Sequence, residues 1–456
     1  MAYTYPPSKY ILQYGEIEPE DHFYCTGQLF FTQDGVSCSV DCDFEVAYTH
    51  NCEIFAVVYL HRGFGQFGFN WRLVQWDYIE GHVVTTNRKV KCDLRSWLQM
   101  SHSPDEPSRF DLQGHKFEVF GDEADLESDG KNHFFNIAGF EFPELRKNAG
   151  VKRIEFSCFV NNKSHEIALN RLPHEIRFSN QTTSRLVVPS DLRQNNWLTT
   201  DVADLWCAVA SLAVGHDIQW TSYRIPAGGR WERWEQRHLK AVKKLPYALL
   251  CKHCIGSATY VFRPENLERF KAIVKNIFDR IYANPQPDDV RLCVEIIRIY
   301  VDYCTVQTRV IEGKMRLITT LVEEFFQRWG QSHGLNKNKH YSGNLNNFFN
   351  NYVDKSTGKN CKLKKRTELL EESRNAIAHE GRLLAFSTDR EREEKRPKFL
   401  TTFNLQPDEL WHFEYRNAMS MIPLMAMSLL GYSGPLFDWT TNTDIMWHCK
   451  NDGNQS

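Results

Sequence analysis

The sequence predicts an α+β multidomain protein, a β-rich N-terminal part followed by a C-terminal α-helical bundle, and three observations carry that expectation. Over residues 1–196, short runs of aromatic and β-branched residues alternate with polar ones between turn formers. From residue 265 onward, apolar residues recur at three- and four-residue spacing, the period of helices with one apolar face. The chain has 456 residues, enough for two or three domains that each bury a core.

In the first part, residues 27–33, 36–40, 53–60, 116–120, 133–137 and 153–160 read as strands. Gln33-Asp34-Gly35 and Ser128-Asp129-Gly130 supply turns between them. A sandwich or barrel-like sheet is expected, closing at the polar residues 193–196. Residues 197–264 form a mixed connecting region, with a helix expected near 232–244 from charge and apolar spacing. Residues 265–456 then read as helices over 268–282, 288–303, 310–329, 345–353, 366–378 and 416–430. Phe270, Ile273, Ile277 and Ile281 make one apolar stripe, and Met315, Ile318, Val322 and Phe325 another. The Asn- and Gly-rich stretch 330–344 reads as a loop, and so does the doubly charged stretch 389–398. Gly431 is the expected stop of the last helix.

Composition narrows the function classes. Hydrophobic residues make up 42% and charged residues 25%, which excludes wholesale disorder. The net charge of −2 does not suit a protein that coats nucleic acid, so any action on RNA is expected at a local site. No signal peptide is read at residues 1–13. The most apolar stretch, 419–430, is shorter than the ~20 residues of a membrane span and contains Pro423. The 13 cysteines are odd in number and scattered, which reads as reduced thiols and a cytoplasmic setting without membrane partner. Cys251 and Cys254 have CxxC spacing but lack a second close pair, so free thiols are expected there and no metal. Cys25, Cys38, Cys42 and Cys52 are expected to pack in the β core. The run from His61 to Trp71 interleaves glycines with aromatics. It reads as a tight turn sending rings into the core, in preference to a base-stacking surface.

The segment that carries chemistry is Leu369-Leu370-Glu371-Glu372-Ser373-Arg374-Asn375-Ala376-Ile377-Ala378-His379-Glu380-Gly381. Leu370 and Ile377 can face the bundle, and Gly381 stops the helix, so His379 falls in the last turn. Asn375 and His379, four apart, share a face. Arg374 lies about 140° from His379 around the helix. Histidine titrates near neutrality and can take the 2′-hydroxyl proton of RNA or protonate the leaving oxygen. Arginine can hold the phosphate in a bidentate fork and stabilise its extra charge in the transition state. Asn375 is placed to orient either. With the RNA's own 2′-hydroxyl as nucleophile, no metal or other cofactor is required. Just before this segment, Lys362, Lys364, Lys365 and Arg366 form a basic cluster, a candidate contact for the RNA backbone.

The run Arg374-Asn375-x-x-x-His379 resembles the signature of HEPN ribonucleases, a helical family of toxin–antitoxin, CRISPR and anti-phage systems. Gly381 matches the glycine that often follows it. Glu295-Ile296-Ile297-Arg298-Ile299-Tyr300 and the stretch 316–326 with Glu323-Glu324 resemble the paired helices that precede the motif. The resemblance covers residues 265–432. A β-rich domain ahead of such a module, opening with Gly27-Gln28-Leu29-Phe30, is similar to the ApeA-type abortive-infection proteins.

That resemblance implies a homodimer in which two motif helices meet in one cleft, each chain supplying half of the acid–base pair. It also implies RNA as substrate, tRNA among the options, and a defence toxin; because an always-active ribonuclease would kill its host, the N-terminal domain is expected to restrain it until a phage-derived trigger is met. The alternatives are a non-enzymatic HEPN scaffold or ligand-sensing module serving a partner protein, and a ligand- or carbohydrate-binding β-domain with a helical tail.

Overall fold

The computed structural model describes residues 6–15, 17–49, 53–61, 74–86, 88–103, 106–120, 132–140, 153–160, 163–171, 182–189, 192, 198–215, 217–224, 231–235, 264–283, 287–305, 310–333 and 341–450. A short helix, α1 (Lys9–Leu12), precedes six strands: β1 (Ile17–Gln33), β2 (Val36–Thr49), β3 (Ile54–Leu60), β4 (Gln75–Val83), β5 (Lys89–Ser103) and β6 (Glu106–Phe120). They pair antiparallel in the order β3-β2-β1-β4-β5-β6, and β3 pairs again with β6. The sheet therefore closes into a barrel, of the two shapes expected for this part. The β1–β2 hairpin turns through Asp34 (φ 50°) and Gly35 (φ 78°), the left-handed pair that a two-residue turn between twisted strands requires. Gly27 and Gly81 face one another between β1 and β4, and a Cβ on Gly27 would stand 2.1 Å from the Glu80 carbonyl oxygen. Only glycine lets the strands come this close. Leu29, Phe44, Val58, Ile79, Phe110 and Phe117 fill the barrel, and Cys25 and Cys42 are buried among them.

One strand joins this barrel to the rest. The part of β6 from Arg109 to Gly114 pairs with β3, while Lys116 to Phe120 pairs with β12 (Trp231–Glu235). From there the sheet continues through β11 (Gln219–Arg224), β7 (Asn132–Ala138), β10 (Thr182–Pro189), β9 (Lys163–Arg171) and β8 (Arg153–Val160). The helix expected near 232–244 is therefore corrected over its first residues. Trp231 and Trp234 lie three apart and imitate a helical period, but pairing on both edges, with β6 and β11, makes this segment a strand. Residues 236–244 lie outside the described residues, as do 193–196 and most of the His61–Trp71 run.

The helix α2 (Thr199–Val214) was not anticipated. Val202, Leu205, Trp206, Val209 and Leu212 are all buried, because α2 lies between the sheet and the helices, and its charged residues Asp201 and Asp204 sit only in its first turns, too few to give a period. Asp201 accepts from the Leu198 amide at 2.9 Å at its start, and Gly215 (φ 83°) ends it. Phe140, Phe156, Trp206 and Phe270 meet with ring centroids 5.5–5.9 Å apart, mostly edge-to-face as aromatic quadrupoles prefer. A single hydrophobic core thus runs from Phe135 to the last helices, across residues 196 and 264, while the barrel keeps its own.

The helices are α3 (Pro264–Ala283), α4 (Pro287–Thr305), α5 (Ile311–His333), α6 (Tyr341–Tyr352), α7 (Lys355–Asn360), α8 (Leu363–Glu380), α9 (Arg390–Phe403) and α10 (Leu410–Leu429). The apolar stripes of α3, α4 and α5 all lie in the shared core. Two stretches read as loops are helical where they are described, the first, 330–344, over 330–333 and 341–344, with 334–340 outside the described residues. α5 continues to His333, and α6 begins at Tyr341, since a polar helix can lodge its few apolar residues, Leu345, Phe348 and Phe349, in the core. The charged stretch 389–398 is mostly α9, capped by Asp389, laced by Arg390–Glu394 and Lys395–Glu391 pairs and anchored by buried Phe399. α10 is nearly all buried, Pro423 included, and ends before Gly431 (φ 71°). An unanticipated hairpin, β13 (Gly434–Asp438) with β14 (Thr443–Trp447), follows. Among the described residues no helix is long and apolar enough to cross a membrane.

Candidate active site

α8 presents the residues singled out from the sequence. Leu363, Leu370 and Ile377 face the main core, and Leu369 and Ala376 pack toward Phe399, Leu410 and Phe413. That arrangement leaves Lys364, Ala378 and His379 exposed and Arg374 and Asn375 half-buried. Gly381 takes φ 68° and donates its amide to the Ile377 carbonyl at 3.0 Å, so the helix stops one turn beyond Ile377. A Cβ there would meet nothing; the left-handed backbone is what favours glycine.

Arg374 is held on three sides. It donates to Asn375 Oδ1 at 3.1 Å, pairs with Glu323 of α5, and lies 5.4 Å over the ring of Tyr341 on α6. Burial, followed by the nearby Glu323 charge, pushes the Tyr341 hydroxyl well above the ordinary tyrosine range. It therefore stays neutral, and it donates to the Thr319 carbonyl at 3.4 Å. His379 makes no side-chain hydrogen bond or ion pair among the described residues. Arg374 and Asn375 thus come together with Glu323 and Tyr341. His379 stands apart from Arg374, about 140° around the helix.

Behind this surface sits a group that the sequence reading missed, Glu414 of α10, 1% exposed. It accepts from Ser373 Oγ at 2.8 Å and from the amides of Leu384 and Ala385 at 2.9 Å each. It therefore ties the residue before Arg374 to the turn after Gly381. Burial pushes its carboxyl up to about 7, against the pull of those donors. Ser373 Oγ also lies 2.8 Å from the Leu369 carbonyl. Its one hydrogen is shared between the Glu414 carboxyl and the Leu369 carbonyl. A lone acid within the apolar stretch around α10 was the available signal. Nearby Glu380 is lowered to about 2, first by the Ser387 hydroxyl and then by the Thr388 amide and Arg392.

The basic cluster divides. Arg366 is corrected out of the RNA-contacting set, being 1% exposed and spent on Asn417 (2.9 Å), Ser420 (2.7 Å) and Asp438 (3.1 Å). Lys365 pairs with Glu368, and Lys362 donates to the Thr402 carbonyl. Lys364 alone of the four is exposed without a partner among the described residues. Cys251 and Cys254 lie outside the described residues, among which no group of His, Cys, Asp or Glu is arranged to hold a metal ion. A cleft of about 210 Å³ between α2 and α4 has its arginines, Arg291 and Arg298, already paired with Asp201 and Asp204.

Comparison with family models, with curated proteins and with solved structures finds no match to this chain.

Proposed function

We propose that this chain is a metal-independent endoribonuclease of the HEPN kind, acting in a bacterial anti-phage or toxin-like defence system. The observation that carries the reading is His379, exposed and without a side-chain partner among the described residues at the open end of α8, one turn from Asn375 and Arg374. In the reaction the RNA 2′-oxygen attacks the adjacent phosphorus and the 5′-oxygen leaves. The 2′-hydroxyl proton goes to a base, and an acid protonates the leaving oxygen, giving a 2′,3′-cyclic phosphate and a 5′-hydroxyl. Since Arg374 and His379 diverge on one helix, the reading takes the cleft as shared by two copies, each giving an Arg to the phosphate and a His to proton transfer. Phe386, 52% exposed in the turn after Gly381, gives such a pair an apolar contact beside the site. The N-terminal β part would then restrain the nuclease and meet a phage-derived trigger, with tRNA one RNA to try.

Cleavage of total RNA in EDTA tests this. His379→Ala is expected to lower it by about 10²- to 10⁴-fold. Mixing His379→Ala with Arg374→Ala chains should restore part of it, because a hybrid cleft keeps one Arg and one His. Cleavage that EDTA abolishes, or that survives His379→Ala, overturns the reading. The pairing of Arg374 with Glu323 favours a second one, a non-enzymatic scaffold in which the arginine is structural. Absence of cleavage, with Arg374→Ala impairing only partner binding, would support it.

A further inference from the structure

We propose that Lys355, Lys359 and Lys364, joined by Lys362, form a phosphate-binding track. It would carry a single RNA strand along the outer face of α8 to His379. The proposal rests on the ribonuclease reading and adds to it a substrate class: strands long enough to reach both ends of α8.

The charge distribution is the first ground. From Lys355 to Arg366 the sequence places five lysines and an arginine with no acidic residue, in a chain of net charge −2. Elsewhere on the helical part many surface cations are matched, among them Arg269 with Asp444, Lys275 with Asp279, Arg291 with Asp201, Arg328 with Glu295, and Lys395 with Glu372 and Glu391, and those exposed without an ion pair among the described residues, such as Arg316, Arg382 and Lys398, are scattered singly along the sequence. In this stretch Asp438 neutralises Arg366 and Glu368 neutralises Lys365. Lys355, Lys359 and Lys364 are exposed and have no ion-pair partner among the described residues. Asp354, the nearest acid in sequence, is engaged in capping α7 through Ser356. Exposed lysines in excess of acids suit a polyanion, which gains from releasing its counterions. Lysine, a mobile point charge, suits backbone contact that ignores sequence.

Register on the helix is the second ground. From Lys364 to Asn375 the turn about the axis is about 20°, and from Lys364 to His379 about 60°. All three share the outward side, with a rise of about 22 Å between Lys364 and His379. The carboxylates along the way are held by neighbours: Glu368 by Lys365, Glu371 by Ser342, Glu372 by Lys395. At ~3.4 Å per stacked nucleotide, a strand bridging that rise needs about six or seven nucleotides. An acidic protein would also meet the lysines, but nothing about it would require the track to end at His379.

The test measures binding of a labelled RNA of about twelve nucleotides to the full chain by fluorescence anisotropy over a range of salt. Replacing the three lysines together (Lys355→Gln, Lys359→Gln, Lys364→Gln) should reduce the slope of log affinity against log salt by about 2 to 3. Arginine at the three positions should keep the slope, and Lys271→Gln, which removes a cation paired with Glu268, should leave it unchanged. An RNA of about four nucleotides can reach the lysines or His379 but not span the rise between them, so it should bind more weakly than the twelve-nucleotide strand. An unchanged slope in the triple variant, no RNA binding by the wild type, or equal displacement by polyglutamate overturns the proposal. Loss of slope as expected with no cleavage of any RNA leaves the track standing and removes the ribonuclease reading instead.

Discussion

Arg366 and Arg374 stand eight residues apart on α8 and illustrate two uses of one side chain. Arg366 is 1% exposed, its guanidinium shared among Asn417, Ser420 and Asp438 while Asn417 donates back to its carbonyl at 2.9 Å. It fastens α8 to α10 and to the terminal hairpin. Arg374 is 35% exposed, with a single carboxylate, Glu323, equally exposed. A buried ion pair cannot exchange its partner without leaving a charge in the core. An exposed pair can, since water covers the partner released, and an incoming phosphate can replace Glu323. Burial thus separates the structural arginine from the one free to act, although both sit in basic or motif surroundings in the sequence.

The largest effect expected from this contrast is on stability. Arg366→Ala, leaving Asp438 buried and unpaired, should destabilise the helical part by about 3–5 kcal/mol, measured by urea denaturation. Arg374→Ala should cost no more than about 1 kcal/mol, while abolishing RNA cleavage under the proposed function. Equal stability losses would erase the distinction.

Next in size is the pH response of the carboxyl behind the site. The folded chain holds the Glu414 proton up to about 7, against an ordinary value of 4.5. Because the folded value is the higher, stability is greatest where the unfolded chain is also protonated, below about pH 4.5. As pH rises toward 7 the unfolded state ionises first, and stability falls by at most about 1.4 kcal/mol per pH unit. Above 7 the loss is complete. Glu414→Gln should flatten this slope between pH 5 and 7. The amide serves Ser373, Leu384 and Ala385 less well, so the variant is weaker at low pH, and the slope is the informative quantity. A wild-type curve that rises over that window would mean the carboxylate is ionised and stabilised by its donors.

Legibility in the sequence followed the same divide between surface and interior. Amphipathic α3, α4 and α5 were readable because water on one face and core on the other stamp a 3.6-residue period. The strands of β1–β3 and the Asp34-Gly35 turn were readable for similar reasons. α2 was not, being buried along most of its length with charged residues only at Asp201 and Asp204 near its start, and β12 was misread because Trp231 and Trp234 fall at helical spacing. α9 hid behind dense charge, with Phe399 its one buried apolar anchor. At the site, the position of His379 before Gly381 was legible. The partners of Arg374 were not, since Glu323 and Tyr341 come from other helices, and nothing local marked Arg366 as buried, its carboxylate lying 72 residues away.

The smallest effect sharpens the comparison most, because it asks whether Glu323 restrains Arg374 or aims it. The pair is exposed, so a double-mutant cycle over Glu323→Gln and Arg374→Gln should give a coupling of only about 0.2–1 kcal/mol in stability. If the carboxylate merely competes with phosphate, Glu323→Gln removes that competition. RNA affinity should then rise by about 1.4- to 5-fold, the same energy read as an equilibrium constant. If Glu323 instead aims the guanidinium, affinity falls and the coupling between the two positions is larger in kcat than in stability. The Tyr341 ring bears on the outcome: with its hydroxyl kept neutral, it gives Arg374 a second, uncharged support over its face. Tyr341→Leu combined with Glu323→Gln should therefore loosen Arg374 where Glu323→Gln alone does not, and an affinity gain that persists in the double variant would assign the positioning to Asn375.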